Sequence, residues 1–195
     1  MITDWNEPFD RFAELFELAR KSQPKDPNAV TLATTDAKGR PSARVVLMKE
    51  VDRRGFVVFT NYESRKGREL TGQKVAALCF YWPSLDRQVR VEGTVEKVSA
   101  SESDAYFATR ARVSQLGAWA SLQSQPLDDR KTLEQRLADY SKKFEGHPVA
   151  RPPHWGGFRI LPERIEFWTA EENRLHERQV YEKQGEGWVT RALFP

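Results

Sequence analysis

Cysteine is almost absent from this chain: among 195 residues only Cys79 is one. An intrachain disulfide is therefore impossible, and a CxxC metal or redox motif is excluded. Cys79 falls in the apolar run Val75-Ala76-Ala77-Leu78-Cys79-Phe80, which predicts a buried, inert thiol. The three histidines, His147, His154 and His176, stand apart and give no metal-ligand spacing. No apolar run approaches the roughly 20 residues that span a bilayer. The opening stretch, Met1-Ile2-Thr3-Asp4-Trp5-Asn6-Glu7, is acidic and lacks a basic segment followed by an apolar one. No signal peptide is expected, no membrane partner is implied, and a cytoplasmic location is the default. GxGxxG, GxSxG, HExxH and Walker loops are all missing, as is a Cys-His pair in a suggestive context.

An excess of one charge is missing too. Lys and Arg number 31 against 28 Asp and Glu, a net charge of +3. The cations recur along the whole chain among carboxylates rather than in one block, which argues against a nucleic-acid partner. What the chain does have is a 39% hydrophobic share, 11% aromatics and six tryptophans, the composition of a folded protein. Its length suits one domain over residues 1–195.

Apolar spacing predicts a helix from Pro8 to Lys21, ended by Pro24 and Pro27. Strands are predicted over 29–35, 42–51, 56–60, 75–82 and 87–98, with turns at 36–39 and 52–55. Ser64 reads as the N-cap of a short helix to Leu70, and Ser99 to Glu102 as a capping box opening a helix through Arg110. A further helix is expected over 129–144. Strands at 157–160 and 164–169 and a hairpin of 178–181 with 188–193 follow. Five or six strands in hairpin order, interrupted by short helices, suggest an antiparallel barrel with peripheral helices.

Several cations need a reason. Arg44 and Lys49 bracket four apolar residues, Val45, Val46, Leu47 and Met48, roughly 16 Å apart along a strand. Strict alternation puts them on opposite faces, so either a bulge intervenes or they serve different ligands; strand-end charges reaching for water are the plain alternative. Arg65-Lys66 at a helix start forms an anion site or simply a solvated first turn. Gln88 offers an amide donor and acceptor. Tyr106, Arg110 and Ser114, spaced i, i+4, i+8, would line one face of a continuous helix and suit a phosphate dianion. Gln123-Ser124 is an ordinary polar loop by composition. In an extended stretch Arg174, His176 and Arg178 would share one face, calling for an anion or for ion pairs with Glu172 and Glu177. Cations and donors on strands and short helices suit a protein that binds phosphorylated ligands and leaves difficult chemistry to a cofactor.

Together, Arg44-Val45-Val46-Leu47-Met48-Lys49, Phe59 to Gly67, Arg87 to Gly93, Ser114 to Ser121, and Ile165-Glu166-Phe167-Trp168 followed by Arg174-Leu175-His176 resemble the pyridoxamine/pyridoxine 5'-phosphate oxidase family. The resemblance runs from about Trp5 to the C-terminus. It implies a mainly β, FMN-binding split barrel with a C-terminal dimerisation and substrate region at about 155–195, forming a homodimer with FMN in clefts between subunits. On that resemblance Arg44 to Lys49, Phe59, Thr60, Arg65, Lys66, Gln88, Gln123, Ser124, Trp168 and Arg178 would hold FMN. Lys49, Tyr106, Arg110 and Ser114 would hold the substrate phosphate, with Arg174, Leu175 and His176 at the pyridine ring, Arg174 and His176 in the catalytic role.

The implied reaction oxidises pyridoxamine or pyridoxine 5'-phosphate to pyridoxal 5'-phosphate by hydride transfer to FMN, with O2 reduced to H2O2. Three departures stand out: a shorter N-terminal arm, Glu177 where the family usually has Asp, and Ala111 where Pro is common. A related flavin oxidase of another ring substrate, phenazine-type, and a non-catalytic flavin or pyridoxal-phosphate binder are the alternatives.

Overall fold

The computed structural model describes residues 2–3 (backbone only), 6–23 and 25–195. The expected helix stop at Pro24 and the start of the resemblance at Trp5 lie outside the described residues.

Helix α1 (Glu7–Ser22) has a proline in its first turn, acids at Glu7 and Asp10, and bases at Arg20 and Lys21. Each end thus carries the charge that the helix dipole favours. Its buried face sets Phe12 edge-on against Phe56 and Phe80, 4.9 and 5.1 Å between ring centroids.

The strands are β1 (Ile2–Thr3), β2 (Ala29–Thr35), β3 (Pro41–Asp52), β4 (Gly55–Asn61), β5 (Val75–Trp82), β6 (Arg87–Lys97), β7 (Trp155–Thr169), β8 (Glu177–Gln184) and β9 (Gly187–Leu193). Among the described residues these nine form one sheet in the order β1-β9-β8-β7-β4-β3-β2-β5-β6, and a further β6–β7 pairing closes six of them into a ring. All the pairings are antiparallel. The expected antiparallel barrel is there, closed by six strands, with β8, β9 and β1 extending the sheet beyond it. Alternate residues such as Leu32, Phe80, Val91, Ile160 and Ile165 fill its interior, as period-two strands around a core require.

Two expected strands, 157–160 and 164–169, are one continuous strand, β7. Pro162, between the two expected segments, sits opposite Gly93, where the β6–β7 register shifts, a place where a strand tolerates proline. A Cβ on Gly93 would stand 2.0 Å from the Leu161 carbonyl oxygen, so this bend requires glycine. Through the bend the first part of β7 pairs with β4 and the last part with β8.

Helices α2 (Arg65–Gln73), α3 (Ala100–Thr109), α4 (Arg112–Ala120) and α5 (Arg130–Lys143) lie outside the ring. Ser64 caps α2 and the Ser99–Glu102 capping box opens α3, both as the sequence indicates. Helix α4 was not anticipated: it has no side-chain N-cap, and only Leu116 and Ala120 are buried along it. Cys79 is half-buried rather than fully buried. It lies between Thr31 and Arg90 on neighbouring strands, in the set that alternates with buried Leu78 and Phe80. Burial, opposed by Arg90, pushes its thiol pKa up.

Candidate active site

Strand β3 carries the first part of the site. Arg44 donates to the Leu32 carbonyl (3.2 Å) and to the hydroxyls of Thr34 and Ser42 (2.5 Å each). The β3–β4 register shifts between Met48 and Glu50, placing a bulge at Lys49. Arg44 and Lys49, separated by strict alternation, therefore line one cavity.

That cavity, about 530 Å³, is walled by Arg44 to Leu47 and Lys49 of β3, Phe59, Thr60 and Asn61 of β4, Lys66 of α2, Tyr106, Arg110, Ser114, Gln123 and Trp155. Lys66 donates to Thr60 Oγ1 and Gln123 Oε1, both at 3.3 Å, and Thr60 donates to Gln123 at 3.2 Å. Gln123, unremarkable in its polar loop, is thus drawn onto the α2 lysine. Burial, with Arg44 nearby, pushes the Lys66 ammonium pKa down. A larger depression of about 760 Å³, walled by Arg112, Ser141, Lys142 and residues 145–148, contains none of the expected residues.

Tyr106, Arg110 and Ser114 do not share one helix face. Helix α3 ends at Thr109, Arg110 is extended, and α4 starts at Arg112. A corner between two helices brings the three together on the cavity wall. Tyr106 stacks on Phe59 at 4.0 Å, Phe59 on Trp155 at 5.5 Å, and the Arg110 guanidinium lies 4.7 Å above the Trp155 ring. Arg110 Nη1 is buried without a hydrogen-bond partner. Burial pushes the Arg110 pKa down and the Tyr106 phenol up.

Arg65, Met48 and Ser124 do not line this cavity: Arg65 pairs with Glu69 at 2.9 Å, Met48 belongs to the core, and Ser124 occupies an exposed left-handed turn at φ 70°.

The remaining expected residues gather elsewhere. Gln88, Trp168 and Arg178 are direct neighbours across β6, β7 and β8, and the His176 ring lies 4.7 Å from the Trp168 ring. The His176 Nδ1 accepts from the Glu171 N–H at 3.1 Å, which leaves Nε2 to carry the proton of a neutral ring. Arg174 does not share an extended face with His176 and Arg178. Asn173 and Arg174 sit in left-handed conformations, φ 56° and 63°, within a 3-10 turn. Arg174 and Leu175 are exposed, and Arg174 makes no ion pair among the described residues. Arg178 pairs with neither Glu172 nor Glu177 but with Glu166, at 2.9 Å. Glu166, only 2% exposed, also meets Arg164 at 3.1 Å and Arg90 at 3.6 Å. The sequence reading missed it, although the alternating Arg and Glu of facing strands β6 and β7 carry the signal.

Trp155 and Trp168 stand at the two ends of β7, 13 residues apart. At about 3.3 Å per residue that is roughly 40 Å of strand. One chain therefore keeps the two groups of residues at opposite ends of this strand.

Residues 17–144 match the family model described as pyridoxamine 5'-phosphate oxidase. The chain belongs to this family. Residues 155–195, which contain the group from Trp168 to Arg178, match the pyridoxine 5'-phosphate oxidase C-terminal dimerisation region. The family member of Myxococcus xanthus named pyridoxine/pyridoxamine 5'-phosphate oxidase is 60% identical over 97% of this chain and 92% of its own. Its counterpart in Rubrobacter xylanophilus is 57% identical over 97% and 87%. Among solved structures, PhzG from Burkholderia lata, in complex with tetrahydrophenazine-1-carboxylic acid, superposes with a TM-score of 0.91 at 34% identity, covering 96% of this chain and 92% of that one. A pyridoxamine 5'-phosphate oxidase-related, FMN-binding protein of Nostoc punctiforme has the same fold, with a TM-score of 0.76 at 16% identity over 96% and 98% of the two chains. Among the described residues no helix is long and apolar enough to cross a membrane.

Proposed function

We propose that the chain is an FMN-dependent oxidase that converts pyridoxamine 5'-phosphate and pyridoxine 5'-phosphate to pyridoxal 5'-phosphate, as a homodimer with each centre built from two copies. The observation that carries this reading is the cavity wall. Arg44, Lys66, Lys49 and Arg110 crowd around one space, and Arg110 keeps a buried N–H without an acceptor. Cations confined in this way suit anions such as phosphate groups. The donor set therefore fits FMN together with a phosphorylated substrate.

In this reading Arg44, Lys66, Thr60 and Gln123 hold FMN from the cavity wall, with the β3 backbone from 45 to 48 and Phe59 alongside, while Arg65 and Ser124 reach it from beyond that wall. Lys49, Tyr106, Arg110 and Ser114 grip the substrate phosphate. The partner copy supplies Gln88, Trp168 and Arg178 to FMN, and Arg174, Leu175 and His176 to the pyridine ring. The length of β7 supports a second copy, since a single chain keeps Trp155 and Trp168 at opposite ends of that strand. When bound, FMN would supply a two-electron acceptor for the hydride of the substrate carbon, with O2 reduced to H2O2; the alcohol then gives the aldehyde by losing its hydroxyl proton, and the amine gives an imine that water hydrolyses to the aldehyde and ammonia.

The chain's own residues act by placement. Two fixed ends, phosphate and ring, hold the reacting carbon in one orientation. The Arg174 guanidinium, free of ion pairs, stabilises negative charge that develops on the ring. His176, whose Nδ1 accepts from the Glu171 N–H, offers Nε2–H as a donor.

The resemblance to PhzG favours one rival, oxidation of a larger unphosphorylated ring. The experiment is an absorbance spectrum of the FMN-loaded protein before and after anaerobic addition of pyridoxamine 5'-phosphate or pyridoxamine. Bleaching by the phosphate ester alone supports the proposal; equal bleaching by both discards the phosphate assignment.

A further inference from the structure

Behind Arg44 of the cavity wall, four residues after Arg65 on α2, lies a carboxylate to which the reaction described above gives no part. Glu69 is 7% exposed. Its Oε1 accepts from Arg65 Nε at 2.9 Å. Its Oε2 accepts from Ser42 at 2.8 Å and from Thr34 at 2.5 Å, and stands 3.4 Å from Arg44 Nη2. Thr34 and Ser42 in turn accept from Arg44. One buried carboxylate thus joins β2, β3 and α2, and ties together two arginines from different elements. Burial alone would raise its pKa, but the hydrogen bonds from Thr34, Arg65 and Ser42 and the charge of Arg65 hold it down to about 2.

We propose that Glu69 is a positioning residue for the cofactor phosphate, fixing the Arg44 and Arg65 guanidiniums in the arrangement that receives it. This rests on the FMN reading above. A guanidinium has five donors in a rigid fork, and occupying some of them on a buried anchor orients the rest. The anchor matters because both side chains are long: without it, each arginine must lose rotamer freedom at the moment of binding. The alternative role for such a carboxylate, simple neutralisation of crowded cations, makes the opposite prediction. Removing a negative charge beside a phosphate site tightens phosphate binding by charge alone. Weaker binding in a neutral variant therefore reports geometry.

The test is fluorescence titration of the apoprotein with FMN and, separately, with riboflavin, which lacks the phosphate. In Glu69→Gln we expect FMN to bind roughly 10-fold or more weakly, the loss of about one oriented charge-assisted contact, while riboflavin affinity changes less than about 2-fold. Thr34→Val keeps the side-chain shape, removes one strut of the network and serves if Glu69→Gln does not fold; it should weaken FMN by roughly 3-fold and spare riboflavin. FMN affinity that is unchanged or tighter in both variants overturns the proposal, and so does equal weakening for FMN and riboflavin. Failure of the unsubstituted protein to bind either flavin would instead remove the FMN reading itself.

Discussion

The guanidinium of Arg110 lies 4.7 Å above the ring of Trp155, with one of its terminal nitrogens buried and unpartnered. The stacked ring holds the cation at the cavity wall without consuming its N–H donors. Arg110 also follows the last turn of α3, so its backbone is set by the corner to α4 rather than by a helix face.

Arg110→Ala should therefore raise KM for pyridoxamine 5'-phosphate by roughly 100-fold, equivalent to about 3 kcal/mol of charge-assisted bonding. Flavin content should stay at the parent level. Steady-state kinetics alongside the flavin absorbance of the purified variant checks both; an unchanged KM would place the substrate phosphate elsewhere.

If each centre draws on two copies, variants damaged in different half-sites must complement. Arg110→Ala and Arg178→Ala should each be poorly active alone. After unfolding together and refolding as a mixture, they should regain about a quarter of the parent activity, since half the random dimers are mixed and each of those has one intact centre. No recovery beyond the sum of the two would show that one chain furnishes the whole centre.

Much of this was readable in the residues, and the failures share a cause. Caps and alternation are local, so Ser64, the Ser99–Glu102 box and strands such as 75–82 appear where the sequence puts them. The single face expected for Tyr106, Arg110 and Ser114 failed because it needed the helix to continue past Arg110, and nothing local announces that a second helix, α4, starts at Arg112 without a side-chain cap. The left-handed turn at Asn173 and Arg174 likewise undid the expected row of Arg174, His176 and Arg178. Glu69 and Glu166 escaped notice because their partners come from other strands and helices, which only the folded chain assembles.

Glu69 also ties stability to pH. Its folded pKa, about 2, lies below the ordinary carboxylate value of 4.5. Its contribution is thus fully present above pH 4.5 and is lost as pH falls through the folded value. The amount is on the order of 3 kcal/mol. Urea unfolding should find Glu69→Gln less stable than the parent at pH 6, with the gap narrowing toward pH 3. A gap independent of pH would mean that the carboxylate's charge contributes nothing.

Gly93→Ala should destabilise the protein by about 3 kcal/mol, because the new methyl meets a backbone carbonyl that has no room to retreat. The urea midpoint should drop with an unchanged slope. Gly72→Ala, whose Cβ meets nothing within 4 Å, is the control and should leave the midpoint near or above that of the parent.

The unbroken run of β7 through its bend has a consequence for how damage spreads in the proposed dimer. Each copy is at once host of one centre and lender to the other. A cut in the hairpin of β8 and β9, which pairs with the far end of β7, would first silence the neighbour's centre and leave the injured copy's own cavity intact. Injury in this assembly is felt across the boundary before it is felt at home.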